Sequence, residues 1–319
     1  MPECMKLDDW LSVARKEYLQ DFIKQGGAAV KFIVPINGPE MLTIRSGVQR
    51  LAEEEGFLYA YVDGATVKIH WIEQLFYHVA KQVDWDNLVY AFLRKTLQSH
   101  YKLPESRNEF NLEQIAVLNG YEKPEMQRPI NVRLKEALFR DYAMTQEFRI
   151  AMITLCRHQL DPSEDSINLC VSVKEWLTGE LGLVSALKRA LIFQKIGRHN
   201  ARNMLFSLAH WLHLSGKNGL VLVLDISRYT QDRPKERDGA LYYSTPAVVD
   251  CYEVLRQFID GTDELDFCFS VVLAPVRFLD EGDRRSVSAY DALKLRIWDE
   301  VHDKVHVNPL ASLIRICSC

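Results

Sequence analysis

The sequence has no apolar run near the roughly 20 residues a membrane helix needs, so no membrane span is expected. Its opening, MPECMKLDDWLSVARKEYL, lacks the basic head and apolar middle of a signal peptide and reads as an amphipathic helix. Positive charge is not in excess. Lys and Arg number 39 against 43 Asp and Glu, so nothing in bulk draws the chain to nucleic acid, although a local basic patch is still allowed. Cysteines are few, scattered and odd in number, at positions 4, 156, 170, 251, 268, 317 and 319. In a chain without export features they point to reduced thiols and a cytoplasmic location. Cys317 and Cys319 are too few for a tetrahedral metal site and read as a frayed tail. There is no repeat, no Ser/His/Asp set and no Gly-x-Ser-x-Gly elbow. His70, His78, His210 and His213 lack acidic partners at ligand spacing and read as histidines at the edge of a core.

What is present is an α/β pattern. A helix over about 9–25 ends at Gly26 and Gly27, with Asp8 or Asp9 as its N-cap. A nearly all-apolar strand, Val30–Val34, runs into a turn and a helix over about 39–55, and a second strand follows at Phe57–Val62. Strand, helix and strand within about 35 residues make a βαβ unit, which implies parallel strands. Residues 68–216 read as mostly helical: Ile69–Val83, Trp85–Tyr101, Leu112–Leu118, Val132–Asp141, Gln146–Gln159, Ser185–Phe193 and His199–Leu214. Pro104, Pro124, Pro129 and the polar run 160–165 mark loops. Strands return at Gly219–Asp225 and Phe267–Ala274, with helices over about 245–259 and 289–302. The division expected is an N-terminal helix (1–28), a first part of the core (29–84), a helical insertion (85–215) and a second part of the core (216–319).

The first turn has the layout of a phosphate-binding loop without its reacting groups. In G-x-x-x-x-G-K-[ST] the glycines let backbone N–H groups converge on phosphate, the Lys reaches the terminal phosphates and the hydroxyl holds Mg²⁺. Here Pro35 stands at the first glycine, Gly38 is followed by Pro39, and Glu40 puts a negative charge where phosphates would sit. Met41 and Leu42 replace Lys and Ser/Thr; Thr43 could supply a hydroxyl and Arg45 or Lys31 a charge, but no frame has Lys beside Ser/Thr. The charge-assisted bonds removed are each worth about 1.5–3 kcal/mol. The second diagnostic place, an apolar strand ending in two acids, keeps Asp225 but continues with Ile226. No cofactor is expected, ATP with Mg²⁺ being disfavoured.

Three further groups stand out. Lys195, Arg198, His199 and Arg202 fall on one face if the segment is a helix, as a surface for phosphate, nucleic acid or a carboxylate partner, or as a plain solvated face. The polar loop after the acidic strand carries Arg228, Arg233 and Arg237 and runs to Tyr242 and Tyr243, which could stack on bases or be ordinary half-buried aromatics. Arg296 lies in the last helix, where it could sense a nucleotide, or pair with Asp299 or Glu300.

Several stretches resemble the BrxD-like ATP-binding proteins of bacterial BREX-type phage-defence systems, a P-loop group related to AAA+ ATPases. They are EWLTGE at 175–180, ARNML at 201–205, AHWL at 209–212 and GKNGLVLVLD at 216–225; then LAPVRFL at 273–279, AYDALKLR at 289–296 and NPLA at 308–311. The resemblance covers roughly 170–316 and, more thinly, 28–85. It implies a parallel core sheet of P-loop NTPase type, AAA- or STAND-like, with a large helical insertion. It also implies a role in an antiviral defence operon. ATP-binding members need Gly, Lys and Ser/Thr where this chain has Glu40, Met41 and Leu42. The expectation is therefore a pseudo-ATPase that docks other defence proteins (an active ATPase, a helicase or a nuclease), with a homo- or hetero-oligomer allowed. Two alternatives stay open: a working ATPase with an altered loop, and a nucleic-acid-binding subunit.

Overall fold

The computed structural model describes residues 4–36, 40–233, 239–298 and 308–317. The chain falls into two compact units, Met1–Val79 with Asn218–Cys319, and Ala80–Lys217.

The first unit is built on one all-parallel sheet. Its strands are β1 (Met5–Lys6), β2 (Ala28–Pro35), β3 (Leu58–Asp63), β4 (Leu220–Asp225), β5 (Cys268–Leu273) and β6 (Leu313–Cys317), in the order β1-β6-β2-β5-β4-β3. β2, β4 and β5 are buried almost throughout, which explains their unbroken apolar sequence: each is covered on both faces. The two strands of the first βαβ unit are parallel but not neighbours, since β5 and β4 lie between them.

One face of the sheet, including Ile33, Val223, Val271 and Ile314, packs against two N-terminal elements. The first is α1 (Leu7–Val13), continued by a wide, π-type stretch Ala14–Phe22; the second is α2 (Met41–Glu54). Lys6 occupies the N-cap of α1, and Asp8 and Asp9 stand inside the first turn, where their charge suits the helix dipole. On the other face Phe32 stacks on Phe278 with centroids 5.9 Å apart, and Tyr252 of α10 (Thr245–Asp260) meets Phe278 edge-on. The last helix described, α11 (Asp291–Ile297), follows.

Two strands went unread in the sequence. β6 ends at Cys317, one of the two cysteines read as a frayed tail: it pairs with β2 from Phe32↔Leu313 to Pro35↔Ile316 and buries Ile314 and Ile316. β1 pairs with β6, and Cys4 is bridged to Cys317 with Cα atoms 5.7 Å apart. That pair departs from the expectation of reduced thiols throughout: strand pairing at β1–β6 brings the two sulfurs together across 313 residues of sequence. Cys156, Cys170, Cys251 and Cys268 are free and buried, and burial pushes each thiol above its ordinary pKa.

The second unit contains α4 (Trp85–Leu97), α5 (Leu112–Leu118), α6 (Lys123–Leu134), α7 (Gln146–Leu160), α8 (Glu164–Thr178) and α9 (Ala201–Leu214). α3 (Ile72–Ala80) precedes them. Side chains of Asp84, Asn111, Thr145 and Ser163 accept from the opening amides of α4, α5, α7 and α8. The expectation of loops at Pro124 and Pro129 fails, because α6 runs through both. Pro124 sits in its first turn, where a missing N–H costs nothing. Pro129 is tolerated because Met126, Ile130 and Leu134 bury one face and a capping box at Glu122 holds the start.

Candidate functional site at the carboxyl edge of the sheet

The chain leaves β2 for α2 on one face of the sheet and leaves β5 for the turn Val276–Leu279 on the other. Between those strands lies a switch point, the place where open parallel sheets bind ligands. Pro35 ends β2 and pairs with Ile316. Gly38 and Pro39 lie outside the described residues. Glu40 is the extended N-cap of α2, exposed and without a side-chain cap bond. Met41 is half-buried, while Leu42 is 57% exposed and Thr43 exposed. The first turn of α2 therefore presents an aliphatic side chain to solvent where a phosphate site would present a hydroxyl.

Two strands away, Asp225 is committed to structure. Its carboxylate accepts from the Ser227 amide at 2.9 Å and from the Tyr61 hydroxyl at 3.3 Å. Burial, and next the Asp225 charge, push the Tyr61 phenol up to about 12, so it stays protonated and donates. Arg45, from the second turn of α2, lies over the Tyr61 ring at 4.4 Å. The Asp225 carbonyl accepts from the Gly64 amide at 2.9 Å. A Cβ on Gly64 would stand 2.8 Å from that carbonyl oxygen, so only glycine fits the approach of the β3 and β4 loops. Ile226, in the place of a water-activating acid, is fully buried.

The loops over this edge are tied to one another. Tyr229 and Tyr243 stack at 3.8 Å, and the Tyr229 hydroxyl bonds the His70 ring Nδ1 at 2.8 Å. Tyr243 donates to the Gly64 carbonyl at 2.6 Å. Tyr243 is thus a buried clamp between loops, away from any base. Arg277 pairs with both Asp283 and Asp232, the latter at 2.8 Å, and Arg285 reaches Asp232 at 3.1 Å. These arginines hold the Asp283 carboxyl below its usual range. Neither Arg277 nor Arg285 stood out in the sequence as a site residue, because nothing local shows that their loop meets the one after β4.

Arg228 stacks on Tyr242, 4.9 Å from the ring centre, and donates to its hydroxyl. Arg233 is exposed, and Arg237 falls outside the described residues. Arg296 pairs with Asp260, the last residue of α10, at 2.9 Å, at the opposite end of the sheet from the switch point. Asp299 and Glu300 are outside the described residues.

Lys195, Arg198 and His199 precede α9 and do not share a helical face with Arg202. The Gly197 amide donates to the Asn200 side chain at 2.8 Å and folds this stretch into turns. Within those turns Lys195 donates to the Gly182 carbonyl at 3.0 Å, while Arg202, in the first turn of α9, lies over Phe206. His210 has an acidic partner after all: its Nε2 lies 2.8 Å from Asp141, which is 69 residues away and invisible to a spacing argument.

Among the described residues, the groups at this edge do not fit a nucleotide triphosphate with Mg²⁺. Asp225 is bonded on both oxygens, its successor is an aliphatic core residue, Asp63 beside it on β3 accepts from the Ala65 amide, and the carboxylate-bearing Glu40 stands at the start of α2. Among the described residues no group of three or more His, Cys, Asp or Glu could hold a metal ion. No described helix is long and apolar enough to cross a membrane. Comparison with family models, curated proteins and solved structures finds no match for this chain.

Proposed function

We propose that this chain is a degenerate module of P-loop type that works by docking, as an interaction or regulatory subunit of a bacterial antiviral defence system. The observation that carries this reading is the state of Asp225 and Ile226. The acid that would hold a metal is used to fix the loop after β4, and the position for a second acid is buried in the core. The sheet supports the P-loop part by fold-level analogy. In the order β6-β2-β5-β4-β3, one strand lies between β2, which leads into the degenerate loop, and β4, which ends at Asp225. The partners on this reading are other defence proteins: an ATPase, a helicase or a nuclease.

One observation favours a second reading, a working ATPase with an altered loop. Arg45 projects from α2 onto Tyr61, within the Asp225 cluster, and is a cation near the edge where a P-loop lysine would act.

Calorimetric titration of the full chain with a non-hydrolysable ATP analogue and Mg²⁺ separates the two. Docking predicts no saturable heat. Saturable micromolar binding, abolished by Arg45→Ala or Asp225→Ala, would establish the second reading instead.

A further inference from the structure

Two adjoining cavities, of about 600 and 620 Å³, lie in residues 80–217, far in sequence from the sheet edge. Both are lined by Gln127, Asn131, Phe139, Ile153 and Arg157, so they form one continuous groove along α6 and α7. Each alone is of ligand-pocket size; together they make a trough suited to an elongated occupant.

The floor is aliphatic, with Leu112, Ile130, Ile150, Leu160 and Leu169. The rim is cationic, with Arg128, Lys135, Arg157 and Arg189. Its one carboxylate, Asp161, is paired with Lys123 at 2.7 Å. Arg189 reaches Asp165 at 3.1 Å in an exposed pair, which costs little to exchange.

Apolar side chains are held outward at the mouth. Leu191 is 64% exposed with φ of 59°, a left-handed conformation that costs a leucine roughly 1–2 kcal/mol. Val132 and Phe139 also line the groove and are exposed. The whole unit is charged opposite to the rest of the chain. Residues 80–217 hold 19 Lys and Arg against 15 Asp and Glu, and the remainder holds 20 against 28.

A long aliphatic floor flanked by separated cations complements a helix with aliphatic residues on one face and carboxylates beside them. A phosphate ligand would call for converging donors, and the cations here are spread along the rim. We propose that this groove docks an acidic amphipathic helix of a partner protein, with aliphatic anchors on the floor and carboxylates on Arg128, Lys135 and Arg157. The inference rests on the docking reading for the partner being a protein, while its geometry lies wholly in residues 80–217.

The test is fluorescence anisotropy on the full chain with a labelled helical peptide of Leu, Ala and Glu, Leu recurring at every third or fourth position. Two control peptides replace Glu by Lys or Leu by Gln. Saturable binding is expected for the Leu/Glu peptide alone. It should weaken about tenfold or more in the Arg128→Glu/Arg157→Glu variant and be unchanged in Lys195→Glu. Both variants alter exposed side chains, and circular dichroism checks that they fold. Absent binding, equal binding of the Lys peptide, or an unaffected double variant would overturn the proposal. So would saturable uptake of oleate without peptide binding, which would assign the groove to a lipid. The ATP-analogue titration on the same preparation keeps the failures apart: nucleotide binding defeats the docking reading, and peptide failure alone defeats only the groove.

Discussion

Lys31 is a charged residue in the middle of a buried strand. Its ammonium donates to the carbonyls of Leu310 and, at 2.9 Å, Ala311, with the Tyr18 ring 4.7 Å away. Burial lowers its pKa to about 8. The unfolded chain, near 10.4 at this group, then binds more protons than the folded one between about pH 8 and 10.4, so the contribution of Lys31 to stability rises with pH across that window. The four buried thiols, raised by burial, oppose Lys31 from about pH 8.5 upward, because the unfolded chain then releases thiol protons that the folded chain keeps. The expected result is a urea midpoint that falls from pH 8 to 10 and falls more steeply in Lys31→Met. Tyr61 and Tyr243, both raised to about 12 chiefly by burial, oppose Lys31 as well, but only above about pH 10. An identical slope in the variant would show that another group titrates.

At the site, Ile226→Glu would place the missing acid back into the sequence and into the core. We expect it to cost about 3 kcal/mol or more, seen as a large fall in the denaturation midpoint, with no gain of ATPase turnover. Gly64→Ala should cost about 1–3 kcal/mol, because the added carbon presses on the Asp225 carbonyl and the Tyr229 ring. The absence of Lys and of a second acid was readable in the sequence. The clamps made by Tyr243, Arg277 and Arg285 were not, since each acts on a loop distant in sequence.

Elements were legible where one periodicity ruled. The runs that became β2, β4 and β5 have hardly a polar residue, so their burial on both faces could be read directly. β6 is shorter and alternates, with Ile314 and Ile316 inward and Leu313, Arg315 and Cys317 half-exposed, so only its pairing with β2 distinguishes it from a tail. α8 was missed although its signal is local: Ser163 caps, and Ser166 returns the bond to the Ser163 amide at 2.8 Å, within a segment read as a polar loop. The basic stretch 195–202 failed as a helix because Gly197 and Asn200 form a turn of their own.

The element most exposed to test is β1, two residues long and tied to β6 by Cys4–Cys317. A bridge closing so long a loop is worth about 2–4 kcal/mol. Reductant should therefore lower the melting temperature of the wild type and leave Cys317→Ser unmoved. An equal shift in both would assign the effect to other thiols.

At the scale of the whole molecule, charge decides which partners are open to it. The net charge of −4 is split unevenly, with the excess of basic residues within 80–217. Nucleic-acid affinity grows with the number of phosphates neutralised at once, so a basic surface must present its cations in register with a backbone. The arrangement described here works against that. Lys195 is turned to the Gly182 carbonyl, Arg202 lies over Phe206, and Arg228 is stacked on Tyr242. Arg277, Arg285 and Arg296 are paired with carboxylates. A labelled DNA duplex and a labelled single strand should therefore bind the full chain only weakly, without sequence preference, and the slope of log affinity against log salt should correspond to few displaced ions. The Leu/Glu peptide should bind more tightly than either at the same salt. Its affinity should decline gently as salt rises, because burial of the aliphatic face is insensitive to screening while the rim pairs are not. A steep slope for DNA that Lys195→Glu/Arg202→Glu flattens would instead make the basic stretch a nucleic-acid surface, and would move the working face of the molecule away from the groove.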